Sequence, residues 1–286
     1  MKYAFIAAHT GQFSVERMCR VLRVGRSGYY AWTHRPPSTR AQANEVLLEQ
    51  IRTTFQHNRK RYGSPRLHLA LQRQGVACGR HRVARLMRTH GLVARAKRRF
   101  RHLTTQRAAG VIPAPNRLNQ DFHATVPNQK WVSDFTYIET GEGWLYLAVV
   151  LDLFSRRVIG WAMRETMDTE LVEAALRMAL DDRQPSPGLL HHSDQGSQYT
   201  ATNYLSRLST ADSQLSMSRV ATPYDNAVME SFFSTLKTEC VTGPFRTRAE
   251  ARTTIFEFLE VWYNRQRMHS TLGYCSPVDF ENQFAL

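Results

Sequence analysis

Two spacings of apolar residues divide the chain. Over about the first hundred positions they recur at the three-and-four interval of amphipathic helices, and from about residue 125 they alternate or run on as in strands. "SVERMCRVLRVGRSGYYAW" (14–32) predicts a short helix capped by Ser14, a turn through Val24 and Gly25, and a second helix from Ser27. That is a helix-turn-helix outline, a pattern that also arises by chance in helical proteins. "THRPPSTR" (33–40) reads as a linker because two prolines interrupt it. "AQANEVLLEQIRTTFQ" then sets Val46, Leu47, Ile51 and Phe55 on one side of a helix. "YGSPRLHLALQRQG" opens a helix at Ser64 with Pro65 in its first turn and stops it at Gly75. "GRHRVARLMRTHG" surrounds Val83, Leu86 and Met87 with Arg80, Arg82, Arg85 and Arg88, and ends at Gly91. This third helix is the candidate for a DNA groove, with a basic solvated face as the alternative.

The second half reads differently. "KWVSDFTYIET" alternates as a strand, "GEG" is a turn, and "WLYLAVVLDLFS" and "RRVIGWAMRE" complete a meander. "DTELVEAALRMALDDR" is a helix with Asp168 as its N-cap. "GLLHHSD" is a short buried strand, "TATNYLSRL" a helix, "SQLSMSR" a fifth strand, and "RAEARTTIFEFLEVWYNRQR" a last long helix. Between the fifth strand and that helix lies "PYDNAVMESFFSTLKTE" (223–239), with Val228, Met229, Phe232, Phe233 and Leu236 forming an apolar stripe. The order predicts a mixed α/β layer fold. The expected divisions are a helix-turn-helix segment over 1–35, a basic helical DNA-binding domain over 41–100, a basic linker over 101–124, and a catalytic domain over 125–284.

Charge sharpens this division. The net charge of +14 is segregated: residues 1–124 hold 24 Lys and Arg against 4 Asp and Glu, and the remainder holds 14 against 20. Arginine makes up 33 of the 38 basic residues, and its guanidinium suits bidentate phosphate contacts. A polyanion-binding front half follows, with double-stranded DNA as the expected partner. Lys97, Arg98 and Arg99 in "ARAKRRFRH" extend that basic character. Four widely spaced cysteines without C-x-x-C pairing argue against a disulfide framework or structural zinc. No apolar run approaches the roughly 18–20 residues of a membrane span, and the N-terminal apolar patch is too brief for a signal peptide. The expectation is a cytoplasmic protein with no membrane partner.

Three carboxylates fall where α/β folds assemble sites, at strand ends and neighbouring helices. Asp134 lies in the first strand, Asp194 just past the fourth, and Glu230 on the helix after the fifth, with 35 residues separating the last two. Each has an ordinary reading as a cap or a solvated acid. Glu230, Ser234 and Lys237 would equally make the polar face of an amphipathic helix. Together the acids suit a minimal cage for two Mg2+ ions, hard cations that take oxygen ligands and promote phosphodiester chemistry.

"WVSDFTYI", "HHSDQGSQYT" and "DNAVMESFFSTLKTE" resemble the DDE catalytic core of retroviral-integrase-like transposases. "YNRQRMHSTLGYCSPVDFE" resembles the end of that core in bacterial insertion-sequence transposases, and the front half resembles the helix-turn-helix region of their second-frame proteins. The resemblance covers essentially the whole chain. It implies an RNase H-like mixed five-stranded sheet with flanking helices, preceded by an all-α region. It also implies a metal-dependent transposase whose catalytic acids match Asp134, Asp194 and Glu230, using two Mg2+ with Mn2+ able to substitute. Lys237 matches a basic position that approaches the DNA end. Asp152 is a fourth acid that either neighbours Asp134 across the sheet or bonds structurally, and His192 and Asn226 are candidates to orient the acids or the DNA. Relatives carry a glycine-containing segment where this chain has Val220 and Ala221. A homo-oligomer in the active complex and a frameshift fusion with an upstream reading frame are further expectations. The competing readings are a structure-specific nuclease of the same fold and a catalytically inactive DNA-binding regulator.

Overall fold

Short amphipathic helices cannot bury their apolar stripes singly, and those of the N-terminal region pack in threes. The computed structural model describes residues 1–95, 113–219 and 222–284, and the chain forms two compact units, Met1–Val93 and Ala94–Leu286. Lys97, Arg98, Arg99, Val220 and Ala221 lie outside the described residues.

In the first unit, α1 (Lys2–Ala8), α2 (Val15–Leu22) and α3 (Arg26–Thr33) close on Ile6, Met18, Cys19 and Tyr29. Ser14 caps α2 as expected, its Oγ accepting from Arg17 N. The apolar patch of residues 2–8 proves to be α1, too short for periodicity to declare it and held by burying Ile6. A second trio follows: α4 (Thr39–His57), α5 (Ser64–Arg73) and α6 (Arg80–Thr89). Leu47, Leu48, Ile51, Phe55, Leu67, Leu71, Val83, Leu86 and Met87 are buried in them. Val46, expected on the inner side of α4, is exposed, and Leu48 is buried instead. The stripe runs 47–48–51–54–55, and Val46 falls on its far side.

The second unit is built on one sheet of five strands in the order β3-β2-β1-β4-β5. Its strands are β1 (Lys130–Thr140), β2 (Gly143–Asp152), β3 (Val158–Arg164), β4 (Leu190–Ser193) and β5 (Gln214–Met217). The first three pair antiparallel, whereas β1 with β4 and β4 with β5 are parallel. This is the mixed five-stranded sheet with flanking helices that the resemblance implied. β2, central among the antiparallel strands, is buried over most of its length, as its unbroken apolar run dictates.

One face of the sheet is covered by α7 (Thr169–Arg183) and α8 (Thr202–Thr210) over a core that includes Trp131, Val150, Leu171, Leu176 and Tyr204. Asp168 caps α7, accepting from Leu171 N at 3.0 Å. Gly160 lets α7 approach β3, because a Cβ there would collide with the Ala175 carbonyl and lie 2.8 Å from Ala179 Cβ. Helix α9 (Ala227–Glu239) packs against β1, and α10 (Arg248–Phe256) lies against β1 and β2.

The last long helix is not uniform. After α10 it widens into a π-helical segment, Glu257–Tyr263, in which Asn264 N donates to Leu259 O five residues back. Such widening admits an extra residue per turn, and here Phe258, Leu259, Trp262 and Tyr263 are all buried. The chain then forms α11 (Pro277–Phe284), which was not expected from the sequence. Residues 113–124, read as the end of a linker, form a strap on the second unit: Arg117 N and Leu118 N both donate to Ser216 Oγ of β5, and Leu118 is buried.

Candidate active site

The three acids come from three elements that the sheet order brings together. Asp134 sits mid-way along β1, opposite Val149 of β2. Asp194 follows the last residue of β4, the strand parallel to β1. Glu230 lies in the first turn of α9, where the helix dipole favours a carboxylate.

Asp134 is half-buried and held from two sides: Phe135 N donates to Oδ1 at 2.8 Å, and Asn226 Nδ2 donates to Oδ2 at 2.9 Å. Burial pushes its carboxyl well above the usual carboxylate range. The charge of Asp194 and then that of Glu230 push the same way, outweighing the two hydrogen bonds. Asp194 Oδ1 accepts from Gly196 N at 2.9 Å, which fixes the turn after β4.

Lys237, two helical turns after Glu230, is half-buried with Nζ 4.6 Å from the centroid of the Tyr137 ring. Burial lowers its pKa, and attraction to Asp134 opposes that shift.

The residue before Asn226 is the best-anchored acid near the site. Asp225 is fully buried and accepts from Arg219 N, Nε and Nη2, from Asn116 Nδ2 and from Gln120 Nε2, all at 2.8–3.0 Å. Those donors, the Arg219 side chain foremost, hold its carboxyl far below the usual range. Asp225 thereby fixes the loop that presents Asn226 to Asp134. At the other end of α9, Glu239 makes a buried ion pair with Arg267, Nη2 to Oε1 at 2.8 Å, and also accepts from Trp262 Nε1 at 3.1 Å. Sequence reading singled out neither pair. Asp225 sits inside the quoted motif beside Asn226, and that adjacency was its one available signal.

Two supporting candidates have other tasks. Asp152 is opposite Trp131, three register steps from the position facing Asp134. It is fully buried, accepts from Asn128 N and Phe154 N at 2.7 Å, and faces Arg183 at 3.4 Å, closing the loops at that end of the sheet. His192 does not touch the acids. It bridges β4 to β5 and the chain beyond it, bonded to Ser216 Oγ at 2.8 Å and Ser218 Oγ at 3.0 Å, and burial lowers it to about 4. The neighbouring His191, bonded to Ser133 Oγ and Tyr204 Oη, is lowered by burial to about 3, so both imidazoles are neutral spacers.

Among the DNA-facing candidates, Arg80, Arg85 and Arg88 are exposed on α6. Arg82 is tied within its own unit, its Nε donating to Asn44 Oδ1 of α4 at 2.8 Å.

The donor set is chemically suited to a hard divalent cation. Asp134 feels the charges of Asp194 and Glu230, and Asn226 Oδ1, buried beside it, has no protein partner among the described residues. Among those residues no three His, Cys, Asp or Glu side chains already stand at coordinating spacing. A divalent cation among the carboxylates would offset their like charges.

A mixed sheet with acids on its first strand, just past its fourth and on the helix after its fifth is the arrangement expected of the integrase class of polynucleotidyl transferases. Family models agree: an integrase core domain matches residues 124–223, a second integrase core model matches 211–277, and an HTH-like domain matches 42–100. The chain is 45% identical over 286 residues to the transposase InsF of insertion sequence IS3A from Escherichia coli (strain K12), covering 99% of both. It is also 45% identical over 268 residues to an insertion element IS600 uncharacterized 31 kDa protein from Shigella sonnei, covering 93% of this chain and 98% of that one. A chain of the simian T-cell lymphotropic virus intasome aligns with TM-score 0.46 and 14% identity, covering 81% of this chain and 74% of that one. The chain belongs to the IS3 family of insertion-sequence transposases, and is a DDE-type polynucleotidyl transferase with an HTH-like DNA-binding region.

Proposed function

We propose that this transposase cuts phosphodiesters at the ends of its insertion sequence and joins the freed 3′-hydroxyls to target DNA, with Asp134, Asp194 and Glu230 as its catalytic acids. The observation that carries this is the convergence of the three carboxylates: Asp134, whose pKa is raised first by burial, is raised further by the charges of Asp194 and Glu230.

Asp134 is oriented from both oxygens by Phe135 N and Asn226, and Asp194 by Gly196 N. Glu230 is carried on the rigid first turn of α9, and Lys237 lies on the same helix to meet a phosphate next to the scissile bond. Two Mg2+ ions held by these acids, or Mn2+ in their place, would supply Lewis acidity at both the entering and the leaving oxygen. The exposed arginines of α6, with Lys97, Arg98 and Arg99, give affinity through phosphates, and base-edge contacts select the ends.

Two ends must be held at once, so the working form is a homo-oligomer. An upstream reading frame, fused by frameshifting or acting as a separate protein, completes it. Among the described residues no helix is long and apolar enough to cross a membrane. Its DNA substrate places its action in the bacterial cytoplasm.

The test is incubation with DNA bearing the inverted repeats that flank the gene. Wild type is compared with Glu230→Gln, with and without Mg2+ or Mn2+, and with the upstream-frame fusion alongside. Cleavage at the repeat ends followed by joined product, lost in the variant and without metal, is the expected result. Metal-dependent cutting without end preference or joining would indicate a nuclease. Binding without any cutting, even by the fusion, would indicate a regulator.

A further inference from the structure

Beyond the acids, the antiparallel hairpin of β1 and β2 carries an aromatic surface that the reaction described so far does not use. Trp144, at the start of β2, is 47% exposed. Its ring stands edge-on to Tyr137 of β1, with centroids 5.1 Å apart. Lys237 Nζ lies 4.6 Å from the centroid of the same Tyr137 ring. One continuous run therefore leads from the acid site through Lys237 and Tyr137 to Trp144. Glu139 is exposed and pairs directly opposite Trp144 in the ladder, which puts the two side chains on one face.

The platform is held from behind. Arg248 Nε donates to Trp144 O at 3.3 Å, while Arg248 Nη1 binds Glu165 at 2.7 Å. Arg248 N donates to Glu142 at 2.8 Å, and Phe245 N donates to Glu139 O at 3.0 Å. An exposed indole on a restrained backbone is pre-organised to stack.

Charge decides what it stacks. The carboxylates of Glu139 and Glu142 repel phosphate beside Trp144, the Glu165 carboxylate is neutralised by Arg248, and Lys237 is the cation on the acid side of the run. A nucleotide that puts its phosphate on Lys237 would put its base on Trp144. There the Glu139 carboxylate can accept from a base amino group, as acidic side chains do from cytosine. We propose that Trp144, Tyr137 and Glu139 form a subsite for one unpaired nucleobase of the DNA end, stacked on Trp144 and read by Glu139. This rests on the transposase reading and adds to it a requirement that the end be opened by a base.

The test is an abasic scan in a binding assay, which needs no cleavage. End duplexes carry a single abasic site at each of the last four positions of either strand. Their affinities for the full-length protein are measured by fluorescence anisotropy, for wild type, Trp144→Ala, Trp144→Phe and Glu139→Gln. Base stacking is worth about 1–3 kcal/mol by alanine substitution, so Trp144→Ala should weaken intact ends about tenfold and Trp144→Phe much less. At one position the abasic site should weaken wild type by a similar factor and leave Trp144→Ala unaffected. With the four bases exchanged in turn at that position, Glu139→Gln should lose the preference that wild type shows there.

Equal abasic costs in wild type and Trp144→Ala at every position would overturn the proposal. So would unchanged DNA affinity with an altered sedimentation coefficient, which would make Trp144 a contact between copies of this chain. A protein that binds and discriminates in this way yet never cuts would leave the subsite standing and remove the transposition reading.

Discussion

Asn226 reaches across 92 positions of sequence to donate its side-chain amide to Asp134 Oδ2 at 2.9 Å. Hydrogen bonds to charged groups are worth about 1.5–3 kcal/mol. Asn226→Ala should therefore slow end cleavage by about 10- to 100-fold. Asn226→Asp should be worse, because it brings a fourth carboxylate against Asp134. Single-turnover cleavage of pre-bound ends measures both, and wild-type rates in either variant would show that this bond does not position the acid.

Asp134 is held in a state that costs stability. With its folded pKa raised above the ordinary value of 3.8, the native protein retains a proton that the unfolded chain releases. Stability is then full below about pH 4 and declines as pH rises through the raised value. Asp134→Asn should melt higher than wild type at pH 7 in metal-free buffer, by about 2–4 °C for each kcal/mol relieved. The gap should close towards pH 4, and Mg2+ should stabilise the wild type alone. Melting curves at both pH values, with and without Mg2+, decide it, and a variant no more stable at pH 7 would count against strain at this carboxylate.

The two buried histidines act in the opposite sense. His192 is lowered to about 4 and His191 to about 3, so the folded state excludes protons that the unfolded chain takes up. Their contribution is full above about pH 6.5 and is lost as pH falls towards 4, by up to about 1.4 kcal/mol per pH unit for each imidazole. His192→Asn should flatten the stability–pH profile between 6.5 and 4. Urea titrations at half-unit intervals would reveal this, and an unchanged slope would mean that His192 is protonated in the native sheet.

Gly160 tolerates no side chain, since a Cβ would strike the Ala175 carbonyl on α7. Backbone cannot yield as a flexible side chain can. Gly160→Ala should cost about 1–3 kcal/mol or more and lower the melting temperature by several degrees. A variant melting within a degree of wild type would show that α7 can shift freely on β3.

Much of this architecture could be read from the chain, and the limits are specific. The three acids, Asn226 and all five strands were legible because alternation and motif spacing are local. Val46 was misplaced because an apolar residue beside a stripe looks like part of it until the partner helices are known. Helix α1 was missed because seven residues hold too few periods. The widening at Glu257–Tyr263 was invisible because it arises from packing of Trp262 and Tyr263 rather than from any breaker residue. The Asp225 cluster and the Glu239–Arg267 pair join residues up to 109 positions apart, which no local pattern reports. Asp152, open to either reading in the sequence, bonds Asn128 N and Phe154 N, and His192, a candidate to orient the acids or the DNA, bonds Ser216 and Ser218; such partners come from the tertiary fold and leave no local pattern.

The strap formed by residues 113–120 bears on where this protein can be cut. A fragment trimmed to residue 124 would look complete by motif and still retain every acid. It would nevertheless strip Asn116 and Gln120 from Asp225, leave Ser216 without two of its donors, and open the space that Leu118 fills. The portable catalytic piece therefore starts no later than Asn116, and a shorter one would fail through its Asn226 loop while its acids were still in the chain.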